Sequence, residues 1–174
     1  MEYIEEKKMA HESGNNNYRK IAFYAVLAVL IIIFLQWKYQ VFFSPDKECL
    51  SIDGSKLMLE SHGKIKMHIH PELKIKINGK NIEIPASIGI TNTGMNAIHM
   101  HTLDGVIHVE APCVRDFTLG DFFEVWGKSF DSEHILEHTV NETSKLKMLV
   151  NGRENNEFER LVLKDKDEIE IIYE

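Results

Sequence analysis

The sequence predicts an α+β fold: an N-terminal transmembrane helix followed by a β-grasp-like sheet with one or two helices packed on one face. Three observations predict it. The run Ile21–Trp37, IAFYAVLAVLIIIFLQW, is uncharged and apolar on every helical face. Beyond it, apolar and polar residues alternate on either side of Asn-Gly and Asp-Gly steps, the pattern of antiparallel strands joined by tight turns. One later segment, TLGDFFEVWG, has helical spacing instead.

Taken in order, residues 1–17 (MEYIEEKKMAHESGNNN) are polar and Asn-rich and read as a disordered cytoplasmic tail. Residues 18–43 read as the transmembrane helix. The apolar run is at the short end of the roughly 17–25 residues that span a bilayer. Lys20 and Lys38 bound it and can reach outward, and Tyr18, Trp37 and Tyr39 suit the two interfaces. A buried core helix would carry a polar face. A cleaved signal peptide would need a small-x-small site, which FLQWKYQVFF does not offer, so the run reads as an uncleaved signal anchor. Lys7, Lys8, Arg19 and Lys20 precede the span, whereas only Lys38 and Lys47 follow closely. The positive-inside bias therefore puts the N-terminus in the cytoplasm and the C-terminal domain in the extracytoplasmic space, a single-pass cell-membrane protein.

Residues 44–62 read as a linker and residues 63–174 as the extracytoplasmic α+β domain. Of the 20 Lys+Arg and 27 Asp+Glu in the chain, five and four lie before residue 44, which leaves 15 against 23 and a net of −8. A face that binds nucleic acid should be basic, so nucleic acid is excluded as an expected partner and cations are favoured. The two cysteines, Cys49 and Cys113, form a disulfide candidate in an oxidising compartment, with two free thiols or a Cys113 metal ligand as the alternatives. Asn141-Glu142-Thr143 is a glycosylation sequon where the cell has that machinery.

Within the domain, PELKIKINGKNIEIP predicts a hairpin. Asn78-Gly79 supplies the two positive-φ positions of the turn, which pairs Ile75 with Ile82 and Leu73 with Ile84, and sets Lys74 opposite Glu83. In TLGDFFEVWG, Thr118 and Asp121 resemble a capping box, and Leu119, Phe122, Val125 and Trp126 form the buried stripe. Gly127 is the stop. Asp131–Val140 is expected as a second short helix. KLKMLVNG, FERLVLKD and DEIEIIYE are expected as strands. The predicted core combines Phe122, Val125 and Trp126 with Ile75, Ile82, Ile107 and Val109.

The chemistry concentrates in HMHTLDGVIH. A two-residue turn at Asp104-Gly105 would oppose His101 to His108 and His99 to Glu110. Alternation then sends His99, His101, His108 and Glu110 to one face, with Ile98, Met100, Ile107 and Val109 on the other. Opposed Cβ atoms lie about 4.5–5.5 Å apart, so imidazoles on that face can converge on one ion. A second pair, His68 and His70 in MHIHP, falls on the face of Glu72, Lys74 and Lys76 unless Pro71 inserts a bulge. Neutral imidazoles suit a copper or zinc ion, and Glu110 could complete the set or orient a ligand's second nitrogen. The competing readings are solvated polar strand faces and a metal-free, pH-responsive cluster. HILEH (His134–His138) matches a zinc-protease pentapeptide, yet no third ligand accompanies it, and an ordinary polar helix face accounts for it.

The blocks HIHPELKIKINGKNIEIPASIGI, HMHTLDGVIHVEAP and FTLGDFFEVWG resemble a family of uncharacterised membrane-anchored proteins of archaea and bacteria with paired H-x-H motifs. The resemblance covers about Met67–Gly127, and the matching histidines are His68, His70, His99, His101 and His108. It implies a shared site and no particular reaction. LKMLVNG with LKDKDEIEIIYE resembles the closing strands of β-grasp domains. The chain ends at Tyr173-Glu174, without the Gly-Gly used for conjugation or sulfur transfer. The expected function is an extracytoplasmic metal-binding protein that binds, stores or delivers copper or zinc, with a membrane protein as the expected recipient. A water-activating metalloenzyme and a metal-free interaction module are the alternatives.

Overall fold

Helix-forming, uncharged residues across Ile21–Trp37 favour one continuous helix, and the computed structural model has it: α1 runs Glu2–Phe42. The structure describes residues 2–42, 45–59 and 65–174, with side chains for 18–40, 47–59 and 65–174. The chain divides into two units, Met1–Ser44 and Pro45–Glu174. In the first, Tyr18–Gln40 has a mean hydropathy of 2.2 and is long and apolar enough to cross a membrane or serve as a signal anchor. The helix also continues through most of the segment expected to be disordered. A helix nucleated in the apolar run extends into its neighbours at little cost per residue.

The second unit begins earlier than its composition suggested. The expected linker contains α2 (Pro45–Ser51), a 3₁₀ turn (Gly54–Lys56) and β1 (Met58–Leu59). Phe43, Ser44 and the expected domain start at Gly63 lie outside the described residues. Cys49 and Leu57 are buried in the core of this unit. Cys49 is joined to Cys113 by a disulfide of 2.04 Å, and Arg115 donates to the carbonyls of Cys49 (2.9 Å) and Ile52.

The remaining strands are β2 (Met67–Ile69), β3 (Glu72–Ile77), β4 (Lys80–Ile82), β5 (Ile90–Thr91), β6 (Gly94–Asn96), β7 (Ile98–His99) and β8 (His108–Ala111). After helix α3 (Leu119–Trp126) come β9 (His134–Ile135), β10 (His138–Thr139), β11 (Leu146–Val150), β12 (Arg153–Glu154) and β13 (Glu168–Tyr173). The largest sheet has the order β12-β11-β13-β3-β4, with β3 and β13 parallel at its centre and the other pairs antiparallel. Its inner face is apolar: Leu73, Ile75 and Ile77 lie beside Ile169, Ile171 and Tyr173, all buried. Its outer face is charged, with Lys76 Nζ 2.6 Å from Glu170 and Lys74 Nζ 2.8 Å from Glu72.

The Asn78-Gly79 turn sets Ile75 opposite Ile82, as its dipeptide requires. The ladder stops there. Leu73 does not pair with Ile84, nor Lys74 with Glu83, because the Leu73 N–H is taken by the carbonyl of Gly105 at 2.8 Å. Helix α3 has the full capping box: Thr118 Oγ1 accepts from the Asp121 N–H, and Asp121 accepts from the Thr118 N–H. Gly127, at φ 71°, ends it. Phe122 is fully buried, whereas Val125, Trp126 and Ile82 are half-buried against the same core.

Two expected elements take other forms. Asp131–Val140 is not a second helix but the β9–β10 hairpin, in which Leu136 turns at φ 54° and Ile135 is fully buried. Asp131 directs it by accepting from the N–H groups of Glu133 and His134, a local bond that competes with helix formation. FERLVLKD forms a 3₁₀ turn at Phe158–Arg160 and a single bridge from Val162 to Thr118, not a strand.

Candidate metal centre

Three short strands, in the order β2-β8-β7, carry His68, His108 and His99, while His70 follows β2 directly and His101 lies two residues beyond the end of β7. Residues opposed across an antiparallel ladder share a face. His68 is opposite Glu110 and His99 is opposite His108, so all four point the same way. Ile98 and Val109, also opposed, fill the core beneath.

The register around Asp104-Gly105 differs from the expected tight hairpin by two residues. His99, not His101, faces His108, and the intervening chain is a wider loop. The competing partner is the chain from Pro71 into the start of β3. Pro71 O accepts from Ile107 N at 2.9 Å, Glu72 bridges Val106, and Leu73 N donates to Gly105 O. Gly105 needs its φ of 82°, and a Cβ there would stand 2.6 Å from the carbonyl oxygen of Leu73. An even offset preserves the faces, so the histidines still converge. Pro71, having no N–H, marks where the chain leaves this sheet for the larger one. His68 and His70 therefore do not share a sheet face with Lys74 and Lys76.

Two groups of three imidazoles result. His99, His101 and His108 place one nitrogen each within 4.8 Å of one another, and so do His68, His70 and His108. Ring centroids are 4.7 Å apart for His99–His101 and His101–His108, and 5.4 Å for His99–His108. In the other group they are 4.5 Å for His68–His70, 4.7 Å for His70–His108 and 6.4 Å for His68–His108. The two H-x-H pairs meet at His108.

His99 is fully buried, and its Nδ1 lies 3.0 Å from the carbonyl oxygen of Asn96. A carbonyl only accepts, so Nδ1 carries the proton and the Nε2 lone pair faces the cluster, the tautomer of a metal ligand. That Nε2 is 3.1 Å from His101 Nε2, close to the spacing of about 3.3 Å between two imidazoles on a tetrahedral ion with bonds of about 2.05 Å. Burial pushes the His99 pKa down from 6.5 to about 4, with neighbouring His101 adding to the shift and the Asn96 bond and Glu110 opposing it. His108 is lowered by the same burial and by the positive character of His70 and His101. The site thus keeps these imidazoles neutral, the state a cation needs.

Glu110 belongs to neither group of three. Its Oε1 is 3.1 Å from His68 Nε2, and its side chain is 9% exposed. Its Oε2 is buried with no hydrogen-bond partner among the described residues. The disulfide joins Cys113, just after β8, to the segment that supports β7, so covalent structure lies behind the site as well.

Asn96 was not singled out by its sequence context. It is buried, its Nδ2 donates to Ser55 O at 2.6 Å, its Oδ1 accepts from Ile98 N, and its carbonyl holds His99. Nothing in the local sequence distinguishes it from the Asn residues of turns. The HILEH pentapeptide dissolves: opposed pairs are His134–Thr139 and Ile135–His138, so His134 and His138 project to opposite faces. His134 Nδ1 instead bonds Asp131 at 2.9 Å. No known protein family, curated protein or solved structure matches this chain.

Proposed function

We propose that this chain is a single-pass membrane protein whose extracytoplasmic domain binds a copper or zinc ion through His99, His101 and His108, to store it or hand it to a membrane partner. The observation that carries the reading is the convergence of three ring nitrogens within 4.8 Å, one of them on a buried His99 whose lone pair is aimed by Asn96. Imidazole ligands match both metals, and with both cysteines in a disulfide no thiolate competes. The acidic balance of the domain favours cation approach. Isothermal titration of the detergent-solubilised chain with Cu(II) and Zn(II) tests it. Saturable binding tighter than micromolar that disappears in a His99/His101/His108→Gln variant is expected, and its absence ends the reading.

One observation favours a second reading. The unpartnered Glu110 oxygen beside three imidazoles is the arrangement of a general base near a metal-activated water. Zn(II)-dependent hydrolysis of an activated ester that Glu110→Gln removes without loss of the ion would establish it. For the scaffold, the order β12-β11-β13-β3-β4 with a parallel central pair supports a β-grasp reading, and such a sheet could equally dock a partner without metal. Partner binding that survives replacement of all five histidines would favour that module.

A further inference from the structure

The second group of histidines need not be a second binding site. His108 belongs to both groups. A neutral imidazole has one lone pair, its other nitrogen holding a proton, so His108 ligates one ion at a time. The groups are therefore mutually exclusive as complete three-histidine sites. They differ in depth at one member, His99, since His101 is exposed as His68 is. The His68 and His70 side chains are 50% and 38% exposed, whereas His99 is fully buried and fixed by Asn96. A hydrated ion meets the first pair from solvent, and the second adds to an exposed His101 one dry ligand already aimed, His99.

A separate observation points to a cation near these histidines. Glu110 buries a carboxylate oxygen with no partner among the described residues, while its other oxygen lies 3.1 Å from His68 Nε2. A carboxylate oxygen left unpaired in a buried position is costly unless a positive charge lies near.

Building on the metal-binding reading above, we propose that the two groups are two stations for a single late first-row divalent ion, with His108 as the ligand common to both. The ion loads at His68, His70 and His108 and settles at His99, His101 and His108. Transfer exchanges two imidazoles for two others while His108 stays bound, so the ion is never released to water. No bond to hydrogen or electron changes hands.

The test uses the full chain in detergent with Cu(II) as probe, measuring stoichiometry by elemental analysis, affinity by competition with a chelator, and loading by stopped-flow absorbance. Wild type should bind one ion per chain. His68→Gln/His70→Gln should keep affinity within about threefold and load at least tenfold more slowly. His101→Gln, at an exposed position that leaves the core intact, should still bind one ion at least tenfold more weakly. His108→Gln should weaken binding more than either. Two tightly bound ions per wild-type chain, or unchanged loading in the His68/His70 variant, would overturn the two-station scheme and leave the single site standing. No binding by wild type would remove the underlying metal reading itself.

Discussion

His68 stands directly across the β2–β8 ladder from Glu110, Nε2 to Oε1 at 3.1 Å, and the second oxygen of that carboxylate is buried without a partner among the described residues. The carboxylate therefore places negative charge beside three imidazoles, those of His68, His99 and His108. A buried negative charge beside His99 and His108 attracts a cation held there, an effect on the order of 1.4 kcal/mol, or about tenfold in affinity. Glu110→Gln should accordingly weaken Cu(II) binding about tenfold, as read by chelator competition, while an exposed control such as Glu124→Gln changes nothing. Equal affinity in both variants would show that the carboxylate is bound up in folding alone.

The depressed pKa of His99 sets a pH dependence for the ion-free fold. The unfolded chain takes up a proton at this position near pH 6.5, while the native chain does so only near pH 4. Between those values the unfolded state binds more protons, so stability is full above about 6.5 and declines as pH falls toward 4. His108 is shifted the same way and adds to the slope, and His101, His108 and Glu110 are the titratable groups coupled to His99. Urea unfolding with chelator present should lose on the order of 3 kcal/mol across that window. His99→Gln should flatten the profile. A flat wild-type profile would mean that water reaches the ring.

How much of this was legible in the sequence depended on whether local chemistry decided the structure. Asn78-Gly79 fixed its hairpin register because the turn alone permits one pairing, and Thr118 with Asp121 and Gly127 bounded α3 because both caps are local. Asp104-Gly105 offered an equally good turn, yet Pro71 and Leu73, distant in sequence, took the hydrogen bonds of Ile107 and Gly105. The site was still readable since side-chain direction depends on parity, which a two-residue offset leaves alone. The support behind it was hidden: Asn96, and the α2–β1 segment read as linker, act through bonds and packing across the fold that no short window displays.

The Cys49–Cys113 disulfide bridges 64 positions, and Arg115 reinforces it from the Cys49 and Ile52 carbonyls. Closing a loop of that length in the unfolded chain contributes about 4 kcal/mol in the chain-entropy account. Reduction, or a double Cys→Ser variant, should lower Tm by well over 10 °C as read by circular dichroism. Since the tethered segment reaches Asn96 through Ser55, metal affinity should drop as well. An unchanged affinity in the still-folded variant would uncouple the segment from His99.

Gly89 lies behind His99 at φ 73°, where an added Cβ would be 2.6 Å from the Ile98 carbonyl oxygen and 3.2 Å from His99 Cβ. Gly79 has a similar φ of 76° with nothing within 4 Å. An alanine at either position bears the left-handed backbone penalty of about 1 kcal/mol. Only at position 89 must the Ile98–His99 backbone also move, and that movement turns the ring nitrogen away from His101 and His108. Gly89→Ala should therefore cost at least about 2 kcal/mol in urea unfolding and weaken Cu(II) binding, while Gly79→Ala costs about 1 kcal/mol and leaves binding intact. Equal losses in the two variants would mean that the strand carrying His99 yields without effect on the ligand set.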